Sequence, residues 1–271
     1  MDYQSILRSN ITFNKKKRIG RVIYIVEGNR TEVDLLKKIY HELLGYNYVS
    51  SNRDGYEMKF LKDDDKYSVV YVLNSKNSNI SSLLDSVELF DEVNNFIVNN
   101  YDKDFSLENA AIFYLFDRDF KSNENHVVKE LIEMYGNSRE GFGYNMQGLL
   151  LLSYPAIEAF LSENLLTKYF RHDFDLGCTL KHHLRSRHLD IKSITVKTLT
   201  KAMYRMHTML NEMGISDYNI DDFAKTNEDI FNFQEDYLLA NTGYKLLSLL
   251  SMSLIDLGLV NFEEISEEEN G

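Results

Sequence analysis

The chain has 271 residues, 44% of them hydrophobic, with one cysteine, one proline and a formal net charge of −12. This is enough apolar content for one large domain, or for one domain with a smaller extension, and no run of eighteen apolar residues is present to span a membrane. The lone cysteine, Cys178, excludes an intrachain disulfide and a cysteine-rich zinc site. With Met1 to Asn10 lacking the apolar stretch of a secretion signal, it points to a reducing, cytoplasmic setting.

Along the chain, a basic run (Lys15, Lys16, Lys17, Arg18, Arg21) precedes the first of four short apolar runs, Val22 to Val26. The others are Val69 to Leu73, Ala110 to Phe116 and Leu149 to Leu152. All four are nearly continuous in apolar residues rather than alternating, as expected of strands buried on both faces. Helical spacing follows each one, over 31–44, 83–98, 125–135 and 156–166. Between the first helix and the second strand, Gly45 to Lys66 is polar and reads as a loop that can hold a hairpin. Beyond Leu166 strand signals stop, and helices are predicted over 194–213, 229–239 and 243–257. The pattern predicts an α/β, Rossmann-like fold with a central, mostly parallel four-stranded sheet flanked by helices, over residues 1–166. A helical C-terminal part is predicted over 167–271.

Acids follow the predicted strands. Glu27 follows the first, in Val26-Glu27-Gly28-Asn29-Arg30-Thr31-Glu32; Asp117 and Asp119 follow the third, in Asp117-Arg118-Asp119; and the fourth runs into Ser153-Tyr154-Pro155-Ala156-Ile157-Glu158. Function gathers at the carboxyl ends of strands in an open parallel sheet, so these four acids are expected to converge on one patch. Converging carboxylates need a cation between them, and hard oxygen donors select Mg²⁺ or Mn²⁺. An Asp-x-Asp pair on an extended strand end points both side chains the same way. Gly28 allows a tight turn, Pro155 suits a first helical turn, and the helix after Gly28 offers free N–H groups to a phosphate. Singly, each feature has an ordinary structural reading: Glu32 as a first-turn residue favoured by the helix dipole, Glu158 as a helix-end interaction, Asp-x-Asp as a surface loop. The ordered conjunction is the signal.

That ordered set resembles the Toprim superfamily, and the first motif is most similar to the OLD-family and RloB-like branch of bacterial defence nucleases. Ser153-Tyr154-Pro155-Ala156-Ile157-Glu158 resembles the Ser-Asn-Pro-x-x-Glu motif of RloB-like proteins, with Tyr154 in place of Asn. The gap from Glu27 to Asp117 is longer than in minimal Toprim domains. The resemblance covers about residues 20–165. It implies metal binding by Asp117 and Asp119, metal binding or acid–base work by Glu27, and a second metal position completed by Glu158. It also implies a toxic nuclease of anti-phage defence, as in abortive-infection and PARIS-type systems, beside an ABC- or SMC-type ATPase, cutting RNA (tRNA in some cases) or DNA, commonly as a homodimer.

Charge is segregated. Between Lys181 and His207 stand seven Lys/Arg, four His and one acid, Asp190. This segment reads either as solvated helix faces or as a guide for a polyanion, with Lys181, Arg185 and Arg187, together with Arg30 and Lys121, as candidate phosphate contacts. His182 and His183, with His172 and His188, invite a metal reading, but adjacent histidines on a helix face different ways, so they fit a basic surface better. Tyr204 and Tyr237 are packed tyrosines or, less simply, bases' stacking partners. The stripe from Leu246 to Ile255 reads as core or a subunit contact. No phosphate-binding P-loop, dinucleotide fingerprint or nucleophile elbow is present. Two other classes stay open: a Toprim-like scaffold that binds a partner ATPase or nucleic acid without cutting, and a nucleotide-sugar transferase using Asp117 and Asp119 for Mn²⁺, which leaves Glu27 and Gly28 without a role.

Overall fold

The computed structural model describes residues 3–28, 30–50, 57–63, 65–75, 83–84, 86–100, 102–121, 123–141, 147–167 and 173–264. From the N-terminus come α1 (Tyr3–Leu7), β1 (Ser9–Phe13), β2 (Arg21–Val26), α2 (Thr31–Lys37) with a π-helical continuation (Lys38–Leu43), β3 (Asn47–Ser50), β4 (Glu57–Lys62), β5 (Asp65–Asn74) and α3 (Ser86–Asn100). Next are β6 (Ala110–Asp117), α4 (Asn125–Met134), β7 (Gly136–Asn137), β8 (Gly148–Tyr154), α5 (Glu158–Leu165), β9 (Asp173–Phe174) and α6 (Gly177–Ser186). The chain closes with α7 (Val196–Glu212), α8 (Ala224–Asn241), β10 (Tyr244–Lys245), β11 (Leu247–Ser248), α9 (Leu250–Asp256) and β12 (Val260–Glu264).

The fold is α/β, and its largest sheet is mixed. Eight strands take part, in the order β11-β8-β6-β2-β5-β4-β3 with β7 paired to β8. β2 is flanked on both sides by parallel neighbours, with Ile23 opposite Tyr71 of β5 and Ile112 of β6. The apolar runs that predicted strands are buried on both faces: β2 from Val22 to Val26, β6 from Ala110 to Phe116, and β8 throughout. Two antiparallel hairpin partners extend the expected four strands on one side. β4 pairs with β5 and β3 with β4, within the stretch read from sequence as a loop that can hold a hairpin. Met58 and Phe60 face in while Lys59 and Leu61 are half-buried, a period of two that its polar neighbours obscured.

Packing divides the chain into two units: residues 1–17, 117–119 and 151–271 form the first, and residues 18–116 and 120–150 the second. This differs from a break at 166/167. One reason is that β1 pairs antiparallel with β12, Ser9 opposite Glu264, so the N-terminal strand joins the C-terminal elements. A second is that strands do not stop after Leu166. β9 pairs with β10, and β11 pairs with β8 through Leu247–Tyr154 and Ser248–Ser153.

In the second unit α2 buries Val33, Leu35 and Leu36, and its π-helical end buries Ile39 and Tyr40. The wider turn, closed by Leu44 N–H donating to Ile39 O at 2.9 Å, puts Leu44 inside and leaves Leu43 half-buried. In the first unit α5 is buried almost all round, polar residues included. α7 starts on a reciprocal Thr195–Thr198 cap and buries Leu199, Met203, Met206 and Leu210. The Leu246–Leu254 stripe is core, with Leu246, Leu247, Leu249, Leu250, Met252 and Leu254 all buried.

Candidate functional site

In the second unit, Glu27 is the first residue after β2 and is half-buried. Its N–H donates to Leu115 O of β6 at 3.2 Å, and its carbonyl accepts from Asn74 Nδ2 at 3.4 Å. The Glu27 backbone is therefore held on both sides. The parallel register sets Val26 opposite Leu115, two residues before β6 ends at Asp117. Gly28 does not adopt a positive φ. A Cβ there would lie 2.6 Å from Glu32 Oε1, so a side chain at this position would have to displace the end of Glu32. Glu32 is buried and folds its carboxylate back over Gly28, so it is more than a dipole-favoured first-turn residue. Arg30 is exposed just ahead of α2. Lys121 is also exposed, with its ammonium 5.6 Å from the centroid of the Phe120 ring.

In the first unit, the strand end Asp117-Arg118-Asp119 is fixed by its neighbours. Arg118 N–H donates to Ser153 O at 2.8 Å, and Asp117 Oδ1 accepts from Ile157 N–H at 2.7 Å. Asp117 closes β6 and Asp119 lies beyond it, so the shared direction expected of two residues on one strand does not follow from pleating. The Tyr154–Pro155 peptide is cis, and α5 begins at Glu158. Pro155 thus belongs to the turn, not to the first turn of the helix. Glu158 is buried, and its Oε1 lies 2.9 Å from Lys181 Nζ. A Cβ on Gly177, the first residue of α6, would lie 2.6 Å from Ala156 Cβ. That close approach brings α6 against the Pro155–Ile157 turn and Lys181 to Glu158.

Between the two aspartates, the Arg118 side chain is fully buried. Its Nε donates to Glu235 Oε1 of α8 at 3.0 Å, and its guanidinium carbon lies 5.2 Å from the Phe231 ring centroid. Tyr244 Oη donates to the same Glu235 oxygen at 2.9 Å. Burial above all pushes the Tyr244 phenol pKa up; Arg118 opposes this and Glu235 and Asp119 add to it, so the phenol stays protonated and a donor. Neither Glu235 nor Tyr244 stood out in the sequence. The available signal was an acid on the buried stripe of α8, since Glu235 is four residues after buried Phe231.

The basic segment 181–207 splits in two. Arg185 and Arg187 are exposed and Lys181 is half-buried in its pair with Glu158. Arg205 and His207 are interior, which corrects their place on a basic surface. Arg205 donates to the carbonyls of Ser162 (3.3 Å), Glu163 (2.6 Å) and Leu166 (2.5 Å), closing the C-terminal end of α5. His207 Nδ1 is 2.8 Å from Met203 O and Nε2 is 2.8 Å from Tyr218 Oη. Tyr204 and Tyr237 are engaged within the protein, on Ser9 O and Asp173 Oδ2. His172 lies outside the described residues.

The donor set of Glu27, Asp117, Asp119 and Glu158 is all carboxylate, which fits Mg²⁺ or Mn²⁺ in kind. Among the described residues no group of three or more His, Cys, Asp or Glu is spaced to hold a metal ion by itself. The convergence of four acids expected from the sequence is therefore not met by a ready-made metal cluster among the described residues. Among the described residues no helix is long and apolar enough to cross a membrane. No protein-family model, curated protein or solved structure matches the chain.

Proposed function

We propose that this chain is a metal-dependent phosphodiesterase of the Toprim type that cuts nucleic acid, with Glu27, Asp117, Asp119 and Glu158 as its metal-binding and catalytic carboxylates. The observation that carries the reading is the parallel pairing of β2 and β6, one followed by Glu27 and the other ending in Asp117. Acids at the carboxyl ends of adjacent parallel strands are where an open α/β sheet supports chemistry. Mg²⁺ or Mn²⁺, when bound, supplies charge stabilisation for the attacking and leaving oxygens of a phosphate displacement. The chain's own residues orient the donors. Two backbone hydrogen bonds hold Glu27, and Ile157 N–H fixes one oxygen of Asp117. The exposed cations Arg30, Lys121, Arg185 and Arg187, with half-buried Lys181 once it is freed from Glu158, supply phosphate contacts that weaken with salt. In this reading the substrate is RNA, tRNA included, or DNA. The protein acts as a homodimeric toxic effector of anti-phage defence, restrained by a partner ATPase of the ABC or SMC class.

Incubation of the purified protein with bulk RNA and with DNA in Mg²⁺ or Mn²⁺ tests the activity. Cleavage is expected for the wild type, and its loss is expected for Glu27→Gln and for Asp119→Asn with the fold retained. Cleavage that survives in the folded Glu27→Gln/Asp119→Asn double variant refutes the assignment. The second reading, a scaffold that binds without cutting, is favoured by the Glu158–Lys181 pair, in which an internal ammonium already neutralises one of the four acids. Wild-type protein that binds nucleic acid, takes up no Mn²⁺ and leaves its ligand intact decides for the scaffold.

A further inference from the structure

Residues 177–212, which form α6, the turn after it and α7, carry seven Lys/Arg and two acids, Asp190 and Glu212, in a chain of net charge −12. Glu212 is already engaged, 3.5 Å from Lys245 Nζ. Arg185, Arg187, Lys192, Lys197 and Lys201 are all exposed, and among the described residues none of the five has an acidic partner. Lys225 of α8 shows the contrast, standing 3.3 Å from Glu228 and 2.9 Å from Asp229. Both helices reach α5: Lys181 of α6 pairs with Glu158 at its start, and Arg205 of α7 donates to the carbonyls at its end. Arg185 lies on the side of α6 away from buried Leu180 and Leu184. This arrangement of charge works against the fold. Lys197 is in the first turn of α7, which holds no acid and where the helix dipole disfavours a cation. Lys197 and Lys201 form a like-charged i,i+4 pair, a destabilising spacing. The Lys201 pKa is held below its ordinary value, by desolvation first and by the Arg205 guanidinium second. Cations that repel one another on an acidic body are stabilised when a polyanion lies across them.

We propose that this acid-poor face, from α6 through the first two turns of α7, is the docking surface for a nucleic-acid double helix, held by its phosphates and not read at its bases. Charge complementarity supports the polyanion, and the residue types select the helix. The single Phe or Tyr between residues 177 and 212 is Tyr204, half-buried with its Oη donating to Ser9 O. The face therefore offers no aromatic platform of the sort that holds unpaired bases. Lysine and arginine follow charge density instead, and a duplex carries one charge per about 1.7 Å of axis, twice that of a single strand. The inference rests on the proposed function for the class of polyanion. It adds Lys192, Lys197 and Lys201 to the surface, names the form of the substrate, and needs no metal ion.

Fluorescence anisotropy of the intact protein in EDTA tests it, with a labelled RNA duplex, a DNA duplex of unrelated sequence and one strand of the RNA alone as probes. Both duplexes are expected to bind, the tighter identifying the helix the face is built for, and the single strand about tenfold more weakly at about 0.15 M salt. The Lys192→Gln/Lys197→Gln/Lys201→Gln variant is expected to bind duplex about tenfold or more weakly and to flatten the salt dependence by roughly three phosphate contacts. Its melting temperature should be no lower than that of wild type, because mutual repulsion is relieved. A merely solvated face predicts the same melting behaviour with an affinity within about twofold of wild type, and that result overturns the inference. So does a single strand bound as tightly as the duplexes, or wild-type binding of phosphatidylserine vesicles with neither duplex bound. Cleavage is measured separately in Mn²⁺. Wild-type cutting of RNA, with duplex binding unchanged in the triple variant, overturns this inference alone. Duplex binding lost in the variant, with no cutting by the wild type, overturns the proposed cutting and supports the docking surface.

Discussion

Lys181 Nζ lies 2.9 Å from Glu158 Oε1, an ammonium on a carboxylate whose side chain is only 7% exposed. The lysine side chain is 43% exposed, so the pair is screened and worth at most about 1 kcal/mol. A divalent ion at Glu158 has to displace that ammonium. Lys181→Gln is therefore expected to tighten Mn²⁺ binding by about two- to fivefold and to lower the salt dependence of nucleic-acid binding by roughly one phosphate contact. Isothermal titration with Mn²⁺ checks the first expectation. Weaker Mn²⁺ binding in the variant contradicts the idea that the lysine competes with the ion.

Gly28→Ala is expected to push the Glu32 carboxylate aside and leave the backbone in place. A methyl group there would fall 2.6 Å from Glu32 Oε1, the far end of a flexible side chain, so a loss of no more than about 1 kcal/mol is expected. Urea denaturation of Gly28→Ala should show that loss. The Gly28→Ala/Glu32→Ala double variant should regain part of it, because the clashing carboxylate is gone. Additive losses in the double variant would rule out the contact as its source.

His207 makes stability depend on pH. Met203 O can only accept, so Nδ1 carries the proton and Nε2 accepts from Tyr218 Oη. Burial holds the imidazole neutral and lowers its pKa from 6.5 to about 4. With the folded value depressed, the unfolded chain binds the extra proton first. The stabilisation is complete above pH 6.5 and is lost as pH falls toward 4, by on the order of 3 kcal/mol. Urea midpoints at pH 7, 5.5 and 4.5 for wild type and His207→Asn check the sign, the variant giving the flatter profile across this window.

Arg205 is a structural cap rather than a nucleic-acid contact. Arg205→Met strips the donors from the carbonyls of Ser162, Glu163 and Leu166, and hydrogen bonds to a charged group contribute about 1.5–3 kcal/mol each. A loss of about 3 kcal/mol or more is expected in chemical denaturation. The affinity of folded Arg205→Met for nucleic acid should stay at the wild-type value, in contrast to Arg185→Gln and Arg187→Gln, which carry exposed charges.

Legibility in the sequence followed burial symmetry. β2, β6 and β8 are buried on both faces and announce themselves as unbroken apolar runs. β4 alternates buried Met58 and Phe60 with half-buried Lys59 and Leu61, and β3 sets half-buried Tyr48 between exposed Asn47 and Val49, so neither carries an unbroken apolar run. β9, β10 and β11 are two residues each, too short to carry any period, and β1 finds β12 across most of the chain through backbone hydrogen bonds. α6 opens on Gly177 and buries only Leu180 and Leu184, so its apolar stripe is too thin to read as a helix. Among the candidate site residues, Glu27 and Asp117 were legible because strand ends are. The partners of Arg118, Glu158 and Arg205 were not, since Glu235, Lys181 and the α5 carbonyls lie far from them along the chain.

By itself the amino-acid order determined where the doubly buried strands run and that acids follow their carboxyl ends, because apolar burial and strand period are local properties of consecutive side chains. Only the tertiary structure decided which charges face water and which are interior. Arg118, Arg205 and His207 look in sequence like Arg185 and Arg187, yet the first three are surrounded by acceptors and aromatic rings from distant elements. A charge takes its role from the groups around it, and the packing of remote segments assembles those groups.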